Sequence, residues 1–461
     1  MIDKKHIKHF TKLVGEDNIY SEKAHLIAYS YDATRTKFEP DAVIFPRHEQ
    51  DVSDILRYCN EHKIVIVPRG AGSGFTGGAI PSEGGIILGF EKHMNKILEI
   101  DMANMVAVVQ PGVINMDLQR AVEEVGLFYP PDPASQEYST IGGNVNENAG
   151  GMRAAKYGIT KDYVMAIRAV RPNGDIIKAG KRTIKDVAGY NISGILIASE
   201  GTLAVTTEIT LKLLSKPKMT KTAMGVFDSV TNAMEAVYKT MASGVTPVAM
   251  EFLDNLTIRA VEETYSKGLP VDAGAILVTD VDGNLENDLD FQLGLIEKSF
   301  RENGCTDFII AKNDKEAADL WFARRNASQA ITQYGSKKIN EDVTVPRSVL
   351  PQLLEKFYAI AKKYQINIPC FGHTGDGNVH TNVMVDGSDP KQIEIGYQAI
   401  EEVFQATIDL GGTLSGEHGI GMAKAPYMGM AFTDEEMQLF QDIKLAFDPN
   451  NILNPHKMGL K

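Results

Sequence analysis

Residues 68–78 read Pro-Arg-Gly-Ala-Gly-Ser-Gly-Phe-Thr-Gly-Gly, with five glycines in the nine positions from Gly70 to Gly78. An apolar run, Ile64-Val-Ile-Val67, precedes the stretch, and a second, Gly84-Gly-Ile-Ile-Leu-Gly-Phe90, follows it. A flexible linker would not be bracketed by two buried strands. Glycine here lets the backbone bend tightly and approach a ligand, and successive free N–H groups make a concave site for a pyrophosphate. The phosphate loop of nucleoside triphosphatases ends in Gly-Lys-Ser/Thr, which is absent. The dinucleotide fingerprint of a doubly wound sheet opens a helix after the first strand, whereas this loop runs on into more glycine and proline. The stretch therefore points to a dinucleotide held by a different fold.

Asp41–Phe45 and Ile64–Val67 read as strands joined by a helix on which Val52, Ile55, Leu56 and Cys59 share one face, a βαβ unit with a short crossover. Met105–Gln110 is a further strand, and Asn115 N-caps a helix over Met116–Val125. A second glycine and polar cluster covers Pro130–Pro133 and Ser139–Gly151, with Ser, Thr and Asn groups beside glycines that admit a flat ligand. Tyr163–Arg171 and Asp175–Lys178 form a hairpin across Asn173-Gly174, and a long strand ends at Leu214. Lys216-Pro217-Lys218 marks a domain boundary. Beyond it helices alternate with single strands, which predicts an α+β domain with helices on one face of an antiparallel sheet. The expected domains are 1–217, 218–425 and a C-terminal helical segment over 426–461.

Asp376-Gly377 is a strong hairpin signal inside Phe371-Gly-His-Thr-Gly-Asp-Gly-Asn-Val-His380. A two-residue turn there would put His373 directly opposite His380 on one face, with Cβ atoms about 5 Å apart. Two imidazoles so placed can hold one divalent cation. For two histidines alone, ordinary strand positions are slightly the better reading. Leu414-Ser-Gly-Glu417-His418-Gly419 supplies a carboxylate and another imidazole, and with them the ion is the better reading.

The chain has 461 residues, enough for two or more cores, and 43% hydrophobic residues, ordinary for a globular protein. Its net charge of −13, without a basic block or zinc-finger spacing, argues against a nucleic-acid surface. An acidic chain also repels anions at long range, so an anionic substrate needs locally placed Arg or Lys. Cys59, Cys305 and Cys370 are far apart, which argues against a disulfide framework and against an iron–sulfur cluster within the chain. Neither a signal peptide nor a membrane span is expected, which places the protein in the cytoplasm, at most peripheral to a membrane through a partner.

In order along the chain, Pro68–Gly78, Pro131–Asp162, Ser199–Thr207, His373–His380 and Ser415–Gly421 resemble the FAD-linked 2-hydroxyacid dehydrogenases. These belong to the vanillyl-alcohol-oxidase or PCMH-type flavoprotein superfamily and include D-lactate dehydrogenases and the flavin subunit of glycolate oxidase. The most specific segments are His373-x-Gly-Asp-Gly-Asn-x-His380 and Gly416-Glu417-His418-Gly419. The resemblance implies an α+β chain: a two-subdomain PCMH-type FAD-binding domain, a cap domain whose antiparallel sheet is covered by helices, and a C-terminal helical segment returning to the FAD domain.

By the same resemblance, Pro68, Arg69, Gly70, Ala71, Gly72, Ser73, Gly74, Gly77 and Gly78 would hold the FAD pyrophosphate. Pro131, Asp132, Ser139, Thr140, Gly143, Asn144, Asn148, Gly150 and Gly151 would line the ribityl chain and isoalloxazine. Glu200, Gly201 and Val205 would close over the cofactor, with Asn454 in the tail. No His or Cys lies within Arg69–Gly78, so the FAD would be noncovalent. His373, His380 and Glu417 would bind the metal (Zn, Fe or Mn by donor type), and His418 would be the base. Glycines 416, 419 and 421 would allow a non-regular backbone that aims both Glu417 and His418 inward. Arg324 best matches the Arg that binds substrate carboxylate, and Lys338, or its neighbour Lys337, a second such group. Asn378 and Asn382 either orient substrate or serve as turn and strand residues.

The activity implied is oxidation of D-lactate or a similar small 2-hydroxyacid. Electrons would pass to an iron–sulfur subunit, an electron-transferring flavoprotein or a quinone. Glycolate and D-2-hydroxyglutarate are same-class alternatives. A metal-dependent hydrolase would leave both glycine clusters unused, and a flavin subunit that only relays electrons would have no need of His418.

Overall fold

The computed structural model describes residues 2–461. Two compact units emerge: the residues up to Gly150 with Ile159–Lys216 and Glu417–Lys461 form one, and Gly151–Gly158 with Pro217–Gly416 form the other. The chain leaves the first unit at Lys216, one residue before the expected boundary. It returns at Glu417, so residues 417–425 group with the first unit rather than the second. Among the described residues no helix is long and apolar enough to cross a membrane.

In the first unit, β1 (Ile19–Tyr20), β2 (Ala42–Ile44), β3 (Ile66–Arg69) and β4 (Ile86–Gly89) form a sheet in the order β1-β2-β4-β3. β2 and β3, joined by the helix Glu49–His62, form the expected βαβ unit, with β4 between them and parallel to each. The Gly84-Gly85 turn makes this possible. At Gly85 φ is +86°, and a Cβ there would stand 2.3 Å from the Val65 carbonyl. Ile44, Ile66, Ile86 and Leu88 pack with Val52, Ile55, Leu56 and Cys59 of the helix Glu49–His62 in one core. Each such side chain contributes about 1.5–3 kcal/mol of burial. Ile452–Asn454 runs beside β3: Ile66 N–H donates to Ile452 O and Asn454 N–H to Ile66 O, both at 2.8 Å.

The same unit continues through β5 (Ile97–Asp101), β6 (Val106–Val109), β7 (Leu127–Phe128), β8 (Val164–Val170), β9 (Ile176–Gly180), β10 (Val205–Lys212) and β11 (Leu214–Ser215). Five of these form an antiparallel sheet in the order β5-β6-β10-β8-β9, and β11 pairs with β7. The β8–β9 hairpin turns across Asn173-Gly174 as its sequence predicts.

The second unit holds one antiparallel sheet of seven strands: β12 (Met219–Phe227), β13 (Ala249–Asp254), β14 (Ala275–Gly283), β15 (Cys305–Ile310), β16 (Lys337–Thr344), β17 (Cys370–His373) and β18 (Asn378–Val385). Their order is β15-β12-β14-β13-β17-β18-β16. Helices cover both faces, not one. Met224, Val226, Ala249 and Leu253 pack against Trp321, Ala323 and Ala327 of the helix Asp314–Ala330. The alternate residue Gly225 faces the other way, where a Cβ would come 2.5 Å from the Phe300 ring of the helix Glu286–Glu302. Strand alternation therefore divides β12 between two apolar layers, a pattern that reads in sequence as a continuous apolar run.

Gly377, in the β17–β18 turn, has φ +89°, and a Cβ there would lie 2.2 Å from the Val345 carbonyl. Left-handed backbone and a steric clash coincide at this position. Gly377→Ala should destabilise the protein by about 2 kcal/mol or more, seen as a lowered calorimetric midpoint. A loss under about 0.5 kcal/mol, an ordinary surface substitution, would show that the turn relaxes freely.

Candidate functional site

In the first unit the two glycine-rich stretches touch. A Cβ on Gly70 would come 2.3 Å from Thr140 Oγ1, so only glycine lets the first loop lie flat on the second. Two adjoining hollows between them share Gly70, Gly78, Ala79, Thr140, Gly143 and Glu147 in their walls. Pro68, Arg69, Glu200 and Gly201 also line the first; Ala71, Gly72, Ser73, Gly74, Ser139, Asn144, Glu417 and His418 also line the second.

Of the other expected residues, all but Gly151 belong to the same unit. Gly77 N–H donates to Asp32 Oδ2 at 2.8 Å. The Pro131 carbonyl takes hydrogen bonds from Asn115 and Gln119, and Asp132 is buried. Asn148 ends the helix Ile141–Glu147 in left-handed backbone, Val205 is a core residue of β10, and Gly151 groups with the other unit. A Cβ on Gly150 would meet Glu417 Oε2 at 3.0 Å. Asn454 Nδ2 donates to both Gly78 O and Glu200 O at 2.7 Å, knitting two parts of the wall.

Arg69 is tied to the backbone: Nη2 donates to Tyr31 O at 2.7 Å and Nη1 to Ala79 O at 3.1 Å. A Cβ on Gly72 would come 2.1 Å from Arg69 Nη2. These bonds make Arg69 the brace of the loop.

His418 shares the second hollow, its ring 5.1 Å from that of Phe75. The His418 carbonyl accepts from Thr76 Oγ1, and the Thr76 carbonyl accepts from the N–H groups of Met422 and Ala423. Glu200 accepts from Ile420 N–H at 2.7 Å and Gly421 N–H at 2.8 Å. Gly419 and Gly421 have φ of +81° and +50°, so the segment after His418 is held in non-regular backbone, as its glycines suggest. Glu147 and Asp32 were not anticipated. The trace Glu147 leaves in the sequence is a lone charge in a run of Gly and Asn.

In the second unit, β17 and β18 pair Phe371 with His380 and Cys370 with Thr381. The turn therefore spans four residues, 374–377, rather than two, with Asp376 N–H donating to His373 O and Gly377 N–H to Thr374 O, both at 3.2 Å. The register is offset by two from the expected one, and an offset of two keeps every side chain on its face. His373 and His380 are diagonal neighbours instead of opposites, and they still meet. Their rings are perpendicular with centroids 5.0 Å apart, and the two Nε2 atoms stand at 3.3 Å. Both are buried.

Glu251, opposite His373 in the register, is fully buried and was not foreseen. Its Oε1 lies 2.6 Å from His373 Nδ1, and its Oε2 accepts from Arg324 Nε at 2.5 Å. Burial alone would raise this carboxyl; the charges of His373 and Arg324 and their hydrogen bonds outweigh it and bring it to about 2. An ionised Glu251 fixes the proton of His373 on Nδ1 and leaves a lone pair at Nε2. The signal in sequence is one Glu in the apolar strand Val248-Ala-Met-Glu-Phe-Leu.

Arg324 spends its Nε on Glu251 and lies over the Phe371 ring at 4.9 Å. One turn further along the same helix, Ser328 Oγ accepts from Lys338 Nζ at 2.7 Å, and burial lowers the lysine's pKa. On β16, Lys338, Asn340 and Asp342 face the same way, opposite Met384, Asn382 and His380; Lys337 points to the other face, against the Tyr397 ring. Asn378 donates to Thr344 Oγ1 at 3.1 Å, while its Oδ1 is buried without a hydrogen-bond partner among the described residues. Asn382 is committed to Pro369 O and to Asn340. Gly416 N–H donates to Asp342 Oδ1 at 2.9 Å, which anchors the residue preceding Glu417 to the strand that pairs with His380.

Residues 216–458 match a family described as FAD linked oxidases, C-terminal domain, and residues 40–180 match an FAD binding domain family. The chain is similar to glycolate oxidase subunit GlcD of Bacillus subtilis (strain 168), 44% identical over 462 residues that cover 100% of this chain and 98% of that one. It is also similar to a D-lactate dehydrogenase of Anaerostipes hadrus, 34% identical over 92% of this chain and 90% of that one. Among solved structures, p-cresol methylhydroxylase with substrate bound superposes with a TM-score of 0.83 at 18% identity, covering 99% of this chain and 96% of that one; at this identity the likeness is one of fold.

Glu251→Gln would keep the side chain's shape and leave Arg324 without its counter-charge. We expect a loss of about 3–5 kcal/mol, the usual cost of breaking a buried pair. Chemical unfolding followed by emission of Trp321, the sole tryptophan and one turn from Arg324, reads it out. A change under about 1 kcal/mol would rule out a structural role for the bridge.

Proposed function

This chain belongs to the FAD linked oxidases, and from that membership we propose that it is an FAD- and divalent-metal-dependent dehydrogenase of D-lactate or a similar small 2-hydroxyacid. That it is an FAD-linked oxidoreductase follows from the family matches over both halves of the chain. The metal and the substrate are the parts proposed.

One observation carries the metal: the 3.3 Å between the Nε2 atoms of His373 and His380. Two nitrogens bound tetrahedrally to a cation at ~2.0–2.1 Å lie about 3.3–3.4 Å apart. The same separation suits an N–H···N hydrogen bond between the rings, and a cation held by both nitrogens would take that bond's place. His373, His380 and Glu417 each offer one ligand atom of a suitable kind, so the proposed site has two imidazoles and a carboxylate. Glu251 holds His373 in the tautomer that presents Nε2.

FAD held by the first unit's cleft walls would supply hydride acceptance, and a cation held by His373, His380 and Glu417 would supply Lewis acidity toward a substrate hydroxyl. The remaining tasks fall to side chains. Arg324, fixed through Nε, keeps its two terminal nitrogens for a substrate carboxylate, and Lys338 adds a second cation on the His380 face. His418 accepts the hydroxyl proton on its ring. The cleft walls of the first unit hold the flavin without a covalent bond. A separate electron-accepting protein or a quinone would be the acceptor for the reducing equivalents. The three cysteines are free and buried, which fits the reducing cytoplasm. Glycolate is the second substrate reading, favoured by the 44% identity to GlcD over the whole chain.

Anaerobic titration of the flavin absorbance with glycolate, D-lactate, L-lactate and D-2-hydroxyglutarate tests the proposal. Small D-2-hydroxyacids or glycolate should bleach the flavin, chelation should abolish bleaching, and added Zn, Mn or Fe should restore it. Bleaching that survives complete metal removal would overturn the metal's role. His418→Ala should keep flavin and metal and slow bleaching by roughly 10²–10⁴-fold. An unchanged rate would place the base elsewhere.

A further inference from the structure

Two carboxyl groups that the mechanism does not use meet in the wall of the first unit's cleft. A Cβ built on Gly419 would lie 2.1 Å from Glu147 Oε2 and 3.2 Å from Glu200 Oε1. One built on Gly78, from the opposite side, would lie 2.8 Å from Glu147 Oε1 and 3.8 Å from Glu200 Oε2. The pair is thus pinched between two glycines, and a side chain at either would collide with it.

The two carboxyls are not equivalent. Glu200 accepts backbone hydrogen bonds from Ile420 and Gly421, donors that suit an ionised group. Lys457 and Lys424 act on Glu200 with their positive charge. Glu147 has no such support. Its Oε2 is buried and has no hydrogen-bond partner among the described residues. Glu147 lines both hollows, sharing the second with Glu417 and His418, and the charges that bear on it are those of Glu200 and Asp32, both negative. Arg69, the nearby cation, is spent on backbone carbonyls. Two carboxylates this close cannot both ionise, and the one without donors keeps the proton.

We propose that Glu147 serves the bound FAD as a neutral carboxylic acid, donating its O–H to the cofactor in the cleft it lines. The proposal rests on FAD binding and is independent of the substrate and metal reading. Burial together with the Glu200 and Asp32 charges holds the acid protonated well above the usual carboxylate range. The sign follows from which form binds: the protonated group donates and the ionised group repels, so FAD is held at lower pH and released as pH rises through the ionisation.

The test measures FAD dissociation from the holoenzyme across neutral to alkaline pH, by absorbance of protein-bound flavin after ultrafiltration. Kd for the wild type should rise about tenfold per pH unit above the ionisation. Glu147→Gln, whose amide still donates, should hold FAD with a flat profile. A flat wild-type profile, or the same slope in the variant, would overturn the proposal. Should the variant not fold, calorimetric FAD binding to wild-type apoprotein in two buffers of different ionisation heat decides: uptake of up to one proton per FAD at alkaline pH supports it, and no uptake overturns it. None of these readouts involves substrate or metal, so failure here stays distinct from failure of the dehydrogenase reading.

Discussion

A carboxylate with no solvent exposure, Glu251, organises the second unit's site. It lies within a sheet strand, with apolar side chains on either side, where an isolated charge would cost several kcal/mol. It persists there because β17 brings His373 directly opposite and the helix Asp314–Ala330 brings Arg324 to its other oxygen. The same three-member chain sets what each end can do. His373 is left with one presentable nitrogen, and Arg324 with its terminal fork. Without Glu251, His373 would lose the carboxylate that fixes the proton on its Nδ1.

The first unit solves a different problem, admitting a flat ligand between strands without leaving a void. Its means are absences of side chain at places where chains cross. Gly70 passes Thr140, Gly72 passes the Arg69 guanidinium and Gly421 passes the Thr76 carbonyl, each closer than any Cβ could come. The walls so formed are stiffened by side-chain bonds from remote segments: Asn454 to Gly78 and Glu200, and Lys457 to Ile80.

Local pattern carried much of this into the sequence. The glycine loop, the β8–β9 hairpin and the site's candidate residues stand out because each depends on a few neighbouring positions. Register did not, because the turn at Asp376-Gly377 proved two residues longer than its dipeptide suggests. The histidines survived the error only because strands have a period of two. The position of β4 between β2 and β3 depends on long-range pairing that no local run encodes. Glu251, Glu147 and Asp32 were overlooked for one shared reason: a buried acid is identified by its partners, and these lie up to 122 residues away. Covering both faces of the seven-stranded sheet was hidden in the same way, since an apolar strand reads alike whether one helix layer or two enclose it.

Asn454 and the Gly78 carbonyl it supports are separated by 376 residues of chain. On a ribosome adding 5–20 residues per second, the glycine loop emerges roughly 20–75 s before the residue that braces it. Through that interval β3 lacks Ile452–Asn454 along its flank, and the cleft has one wall missing. The part of the cleft wall that joins Gly78 to Glu200 is therefore complete only once Asn454 has been added to the chain.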